Sequence, residues 1–339
     1  MLLEVENLKV HYQTEQGMVK ANDGITLSIG ENEVFGIAGE SGCGKTTLIK
    51  CLLRLLPART HISADCLKFK GRDLLAMRDR EFRSEMQWNE ISLVPQSAQA
   101  SLDPVYKVGD QIVEAIEAHK TVTRKEARDR VAELFDIVGL QHGLMTSYPH
   151  EFSGGMRQRA MIAMALALEP SLIVMDEPTT GLDVLVQERI IRNLLEIRSR
   201  IKSSILLITH DISVIAEMSD RIGIMYAGRM MEIASSEDLF DNPFHPYTLG
   251  LKNAFPSIKA LDRNLISIPG SPPNLIGDIP GCTFEGRCPF VEERCENERP
   301  VEELVSEQHT VACHKLAEVD KMRAMAGEKS TWQSSKSAI

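Results

Sequence analysis

Gly39-Glu-Ser-Gly-Cys-Gly-Lys-Thr46 sets Gly39 and Gly44, with four residues between them, ahead of Lys45 and Thr46. Glycines at that spacing let backbone N–H groups converge on phosphate oxygens. Lys45 can neutralise charge on β- and γ-phosphates, and the Thr46 hydroxyl can bind Mg²⁺. Cys43 inside the loop needs no redox role, because a small residue filling the turn suffices. Downstream, the apolar run Leu172-Ile-Val-Met175 ends in Asp176-Glu177. A carboxylate at a strand end can hold the hydration shell of Mg²⁺, which suits Asp176. A second one, Glu177, can polarise an attacking water as general base. Alone, such a pair equally suits an acidic strand end at a surface. Together with the loop it points to hydrolysis of a nucleotide phosphate.

The elements that must position these groups are readable. Val34–Ala38 reads as a buried strand entering the loop, and residues 45–56 as a helix stopped by Pro57, which is the strand–loop–helix context the motif demands. Residues 2–30 alternate in the manner of half-buried antiparallel strands. Residues 78–170 read as mostly helical, interrupted by a strand at Ile91–Val94. Beyond residue 153 helices alternate with strands at Leu172–Met175, Ile205–Ile208 and Ile222–Tyr226, with helices predicted over 184–201 and 212–218. Alternation of this kind gives an α/β fold with a mainly parallel sheet covered on both faces.

The composition is that of a soluble globular chain. Of 339 residues, 43% are hydrophobic and 25% charged, and the net charge of −10 argues against nucleic acid as the main partner. No apolar stretch is long enough to span a bilayer. No signal peptide is evident, so the chain is expected to stay in the cytoplasm. Residues 241–281 are proline-rich and read as linker or irregular structure. Four of the seven cysteines follow with the spacing Cys282-x₅-Cys288-x₆-Cys295-x₁₇-Cys313. Such a cluster suits metal ligation in a reducing compartment, either zinc or a [4Fe–4S] cluster. The absence of a Cys-x₂-Cys knuckle counts against an ordinary zinc ribbon. The Ser- and Lys-rich residues 326–339 are expected to be disordered.

These motifs, in this order, resemble those of ATP-binding-cassette (ABC) ATPases over about residues 1–235. Phe152-Ser-Gly-Gly-Met156 resembles the family signature, with Phe152 and Met156 in place of the commonest Leu and Gln. By this resemblance Ser153, Gly154 and Gly155 contact the γ-phosphate held by a second subunit. The resemblance further implies that Gln96 contacts Mg²⁺ and senses a membrane partner, that Asp183 is the D-loop aspartate, that His210 contacts the γ-phosphate, and that Tyr12 stacks on adenine. Ser41, Gly42, Gly44 and Thr47 belong to the nucleotide-binding loop, and Lys45, Gln96, Glu177 and His210 to the hydrolytic set. The implied fold is a P-loop ABC ATPase with a RecA-like sheet, an antiparallel β-subdomain and an α-helical subdomain near 97–165. The implied division is an ATPase domain over 1–240 and an extension over 241–325.

The extension resembles that of oligopeptide, dipeptide and nickel importers, through Asn242-Pro-Phe-His-Pro-Tyr-Thr248, Pro269-Gly-Ser-Pro-Pro-Asn274 and the cysteine tail. It implies a [4Fe–4S] cluster on Cys282, Cys288, Cys295 and Cys313, with zinc as the alternative. It also implies a second ABC ATPase subunit (a heterodimer), two membrane-spanning permeases, an extracytoplasmic substrate-binding protein, and a peripheral place on the cytoplasmic face of the inner membrane. Peptide is the implied cargo, with nickel or oligosaccharide as alternatives. A soluble ABC ATPase of iron–sulfur assembly is the competing class, although it usually lacks this extension.

Overall fold

The computed structural model describes residues 1–96, 101–179, 184–254 and 267–333. β1 (Leu3–Thr14) and β2 (Gly17–Ile29) come first. β3 (Val34–Ala38) is buried throughout and leads through residues 39–44 into α1 (Lys45–Leu52). The helix stops at Leu52 rather than Leu56, and Arg54 just beyond it takes the left-handed conformation (φ 52°). Three short strands follow, β4 (Thr60–Ser63), β5 (Cys66–Phe69) and β6 (Arg72–Asp73), then β7 (Ile91–Val94). Next come α2 (Val108–His119), α3 (Arg124–Ile137), α4 (Gly154–Ala165), β8 (Leu172–Asp176), α5 (Val184–Arg200) and β9 (Ser204–Ile208). The remainder is α6 (Ile212–Met218), β10 (Arg221–Tyr226), β11 (Arg229–Ser235), α7 (Ser236–Asp241), α8 (Pro246–Ala254), α9 (Glu293–Asn297), β12 (Glu303–Ser306), β13 (His309–Val311), α10 (Val319–Ala326) and α11 (Lys329–Gln333). The α/β class expected from the sequence holds, and among the described residues no helix is long and apolar enough to cross a membrane.

The chain forms two compact units. One comprises residues 1–4, 28–35 and 68–209. Its centre is β8, buried at every position and parallel to β7 on one side (Ile91↔Leu172 to Val94↔Met175) and to β9 on the other (Leu172↔Ser204 to Asp176↔Ile208). A strand enclosed on both faces reads as a continuous apolar run, and Leu-Ile-Val-Met is such a run. The helices that follow β7 are started by local chemistry. Thr123 and Glu126 form a reciprocal capping box at α3, and Ser153 caps α4 by accepting from the Met156 N–H.

The other unit comprises residues 5–27, 36–67 and 210–339. β1 pairs antiparallel with β4 (Lys9↔Ser63 to Tyr12↔Thr60). β10 and β11 form a hairpin whose turn residues, Ala227 and Gly228, both have positive φ (47° and 79°), the geometry that matches strand twist. β13 adds to the free side of β11 (Glu232↔Val311, Ile233↔Thr310), and β12 pairs with β13.

Two expectations for the C-terminal part need correction. Residues 241–281 are not uniformly irregular, because 246–254 form α8. Pro246 occupies the first helical position, where its fixed φ suits a helix and no N–H is required, and the Tyr247 N–H is taken by His245 Nδ1 at 3.0 Å. The tail expected to be disordered from residue 326 carries α11 over 329–333. Its anchor is Trp332, only 1% exposed, whose indole N–H donates to the Ala326 carbonyl at 3.0 Å. A ring atom of Trp332 comes so near Gly250 of α8 that a Cβ there would lie 2.6 Å from it. Residues 334–339 lie outside the described residues.

Replacing a large buried aromatic costs about 3 kcal/mol. Trp332→Ala is therefore expected to lower the denaturant midpoint of the full chain by that amount of stability. An unchanged midpoint would show that the terminal helix contributes nothing.

Candidate active site

The residues singled out by sequence fall into two groups, one in each unit. In the unit holding residues 36–67, the loop from Gly39 to Thr46 is packed at backbone level. A Cβ on Gly39 would lie 2.1 Å from the Met225 carbonyl oxygen, and one on Gly44 would lie 2.3 Å from that of Ala21. Gly44 also has φ 107°, so glycine is required there twice over. Lys45 is 6% exposed, and its Nζ donates to the carbonyls of Gly39 (2.6 Å) and Glu40 (3.0 Å). The ammonium is thus held inside its own loop by backbone carbonyls. Ser41, Gly42 and Thr46 are exposed, and Thr47 is half-buried. Burial pushes the Cys43 thiol up in pKa, opposed only in part by the Lys45 ammonium beside it. That agrees with a filler role and not with a nucleophile.

Asn22 was not signalled by any motif. Fully buried, it donates through Nδ2 to the Gly44 carbonyl at 3.1 Å and so supports the loop from β2. Tyr12 on β1 donates its hydroxyl to Thr47 Oγ1 at 3.3 Å, which ties this half-buried ring to the helix the loop starts. His210 is exposed, directly ahead of α6, whose N-cap Asp211 accepts from the Ser213 and Val214 N–H groups.

In the unit holding residues 68–209, Asp176 ends β8 and is buried at 8% exposure. Glu177 follows with φ 49°, a left-handed conformation that is uncommon for a residue with a side chain. Its N–H donates to the Ile208 carbonyl at 2.7 Å, and its Oε2 accepts from Gln96 Nε2 at 2.7 Å. The left-handed turn moves Glu177 off the course of the strand, and backbone conformations of this kind concentrate at functional positions. Gln96 and Glu177, far apart in sequence, are thus brought together. Ser153, Gly154 and Gly155 form the start of the 12-residue helix α4, where unpaired N–H groups and the helix dipole favour anions. Phe152 is 3% exposed, so the position asks for a hydrophobe and not for leucine in particular. Asp183 lies outside the described residues.

The four C-terminal cysteines are buried, free and gathered on one cavity, which Phe284 and Pro246 help to line. Cys282 is pushed up to about 12 and Cys313 to about 11, chiefly by burial and in part by the neighbouring thiols. Cys288 is raised by the same causes. Groups that repel one another's charge in this way suit a shared positive centre, which would remove the penalty. Among the described residues no three cysteine, histidine or acidic side chains stand close enough for one metal ion. Four thiolates on a single zinc sit about 2.3 Å from it. His314 Nε2 lies 2.9 Å from the Glu298 carbonyl.

Comparison with known proteins bears on both groups. Residues 22–180 match the ABC transporter family, and residues 231–295 match the oligopeptide/dipeptide transporter C-terminal region. A probable peptide ABC transporter ATP-binding protein of Sinorhizobium fredii is 41% identical over 94% of this chain and 96% of its own length. The dipeptide transport ATP-binding protein of Bacillus subtilis is 40% identical over 92% and 94% of the two chains. The oligopeptide transport ATP-binding protein of Escherichia coli is 41% identical over 89% and 90%. Among solved structures, a Clostridium perfringens protein described as part of an ABC transporter complex superposes with a TM-score of 0.62 at 26% identity, covering 71% of this chain and 91% of its own.

Gly44→Ala is expected to weaken nucleotide binding by at least about ten-fold, because the methyl group must displace the Ala21 carbonyl or tilt the loop amides away from phosphate. Titration of the full chain with ATP and Mg²⁺ measures this, and an unchanged affinity would refute the packing argument.

Proposed function

The chain belongs to the ATP-binding proteins of ABC transporters, of the oligopeptide/dipeptide type, and from that premise we propose that it hydrolyses ATP to power peptide uptake through membrane-spanning partner subunits. One observation carries the reading: a phosphate loop with a buried lysine and an oligopeptide-type C-terminal region occur in the same chain. Lys45 and the amides of residues 41–46 bind the phosphates. Thr46, Gln96 and Asp176 supply hard oxygen donors of the kind Mg²⁺ takes. Glu177 polarises the attacking water, oriented by the Gln96 amide 2.7 Å away. His210 contacts the γ-phosphate, Tyr12 stacks on adenine, and Asp183 serves as the D-loop aspartate.

Ser153, Gly154 and Gly155 complete the phosphate site of a second ABC ATPase, with a heterodimer favoured. The assembly includes two permeases and an extracytoplasmic substrate-binding protein, and the chain sits peripherally on the cytoplasmic face of the inner membrane. Purification of the tagged chain from native membranes tests the assembly. Recovery with integral membrane proteins and loss of peptide uptake on deletion are the expected outcomes. Recovery with a soluble scaffold, or uptake defects confined to nickel or oligosaccharide, would change the assignment.

Glu177→Gln is expected to keep ATP binding while lowering hydrolysis by about 100- to 10,000-fold, the usual weight of a general base. Turnover equal to wild type in the assembled complex would remove Glu177 from this role.

Cys282, Cys288, Cys295 and Cys313 hold a [4Fe–4S] cluster that acts as a structural staple. The convergence of four buried thiols on one cavity supports this. Anaerobically purified protein is expected to be brown, with absorption at about 400 nm and about four irons per chain. A colourless chain carrying one zinc would favour the alternative.

A further inference from the structure

Glu40 is the second residue of the phosphate loop, at a position the motif leaves open, yet its N–H, its carbonyl and one carboxylate oxygen are all engaged. Its carbonyl accepts from Lys45 Nζ at 3.0 Å and from the Cys43 N–H at 3.3 Å. Its N–H donates to the Tyr247 hydroxyl at 3.1 Å, and its Oε2 accepts from Arg287 at 2.9 Å. Two of these four partners, Tyr247 and Arg287, belong to the C-terminal extension. Arg287 lies between Cys282 and Cys288, one residue from the latter.

The Arg287 side chain is 5% exposed, and all three of its nitrogens donate. Nε donates to the Pro269 carbonyl at 2.8 Å, one terminal nitrogen to the Ile268 carbonyl at 3.2 Å, and the other to Glu40 and to the Tyr226 hydroxyl at 3.2 Å. The guanidinium carbon stands 5.6 Å from the Tyr226 ring centroid. Tyr226 in turn packs with Tyr247 and Phe284, the ring centroids 4.7 to 5.2 Å apart and all three at most 1% exposed. Burial raises the pKa of both phenols, so they act as neutral partners. Among the described residues Glu40 is the carboxylate that pairs with this buried cation.

A loop with glycines at 39, 42 and 44 is conformationally free unless something outside it fixes its course. Ordering it at the moment of binding would be charged against nucleotide affinity. We propose that Arg287 is a positioning residue for ATP: anchored on the Ile268 and Pro269 carbonyls, it holds Glu40 and, together with Tyr247, presets the phosphate loop from the C-terminal extension. The inference rests on the reading of residues 39–46 as an ATP phosphate site. Its effect is expected on affinity before the chemical step, because Arg287 bonds to Glu40 and not to Lys45, Gln96, Glu177 or His210.

The test is titration of the full chain with ATP and Mg²⁺, with thermal unfolding followed in parallel. Arg287→Gln and Glu40→Gln are each expected to raise the ATP dissociation constant by about ten-fold. The double variant should lose no more than either single one, and Arg287→Lys should recover part of the loss. In the assembled complex the change should appear in KM with kcat retained. Wild-type affinity in both single variants, or additive losses in the double variant, overturns the proposal. Should Arg287→Gln fail to fold, Glu40→Gln decides, its own folding checked by the same unfolding transition, since the Glu40 side chain is 28% exposed. A wild-type chain that binds ATP no better than Lys45→Ala would instead sink the ATP-site reading and this inference with it.

Discussion

The close approach of the phosphate loop to two neighbouring carbonyls, those of Ala21 and Met225, is the constraint from which much of this structure follows. At such separations only glycine fits at positions 39 and 44. Packing reaches these glycines only through their backbone, and hydrogen bonds add the remaining locks. Asn22 supplies one at Gly44, and Tyr247 and Arg287 supply others at Glu40. The ammonium of Lys45 closes the arrangement from within.

The C-terminal extension is joined to the same unit by a second set of polar contacts around a buried acid. Glu232 on β11 is 1% exposed and accepts from the N–H groups of Phe244 and His245. Its Oε1 also lies 2.7 Å from His309 Nε2 on β13. A buried carboxylate is tolerable only with its lone pairs satisfied, and here three donors satisfy it. Burial also lowers the pKa of His245 to about 4, which keeps it neutral and free to accept from Tyr247. The His-Pro-Tyr segment is therefore a cap, a helix start and a loop clamp in consecutive residues.

Much of this was legible in the sequence, and the reasons divide by range. The strands at 34–38, 91–94 and 172–176 announced themselves because enclosed parallel strands are continuously apolar. The loop and its carboxylates were legible because phosphate and metal chemistry restricts residue type at fixed spacing. β11 was not found, since Glu232 interrupts its apolar pattern and is explained only by partners far along the chain. The terminal helix was hidden because Ser and Lys dominate its neighbourhood while one residue, Trp332, does the anchoring. Glu40 and Arg287 were invisible for the same reason: neither belongs to a local pattern, and their pairing spans 247 residues. The left-handed turn at Glu177 likewise has no signature in residue type.

The addition of β13 to β11 has a consequence for solubility. A strand whose outer side offers unpaired N–H and C=O groups is a template for pairing with another chain. Here that side is taken by His309–Val311, and the new border is β12, a short strand with exposed Glu303 and a register irregularity before Ser306. Short, charged and irregular borders are the usual protection against edge-to-edge association. Removing the extension would therefore expose a mostly buried apolar strand, Met230-Met-Glu-Ile-Ala234, as a sticky rim.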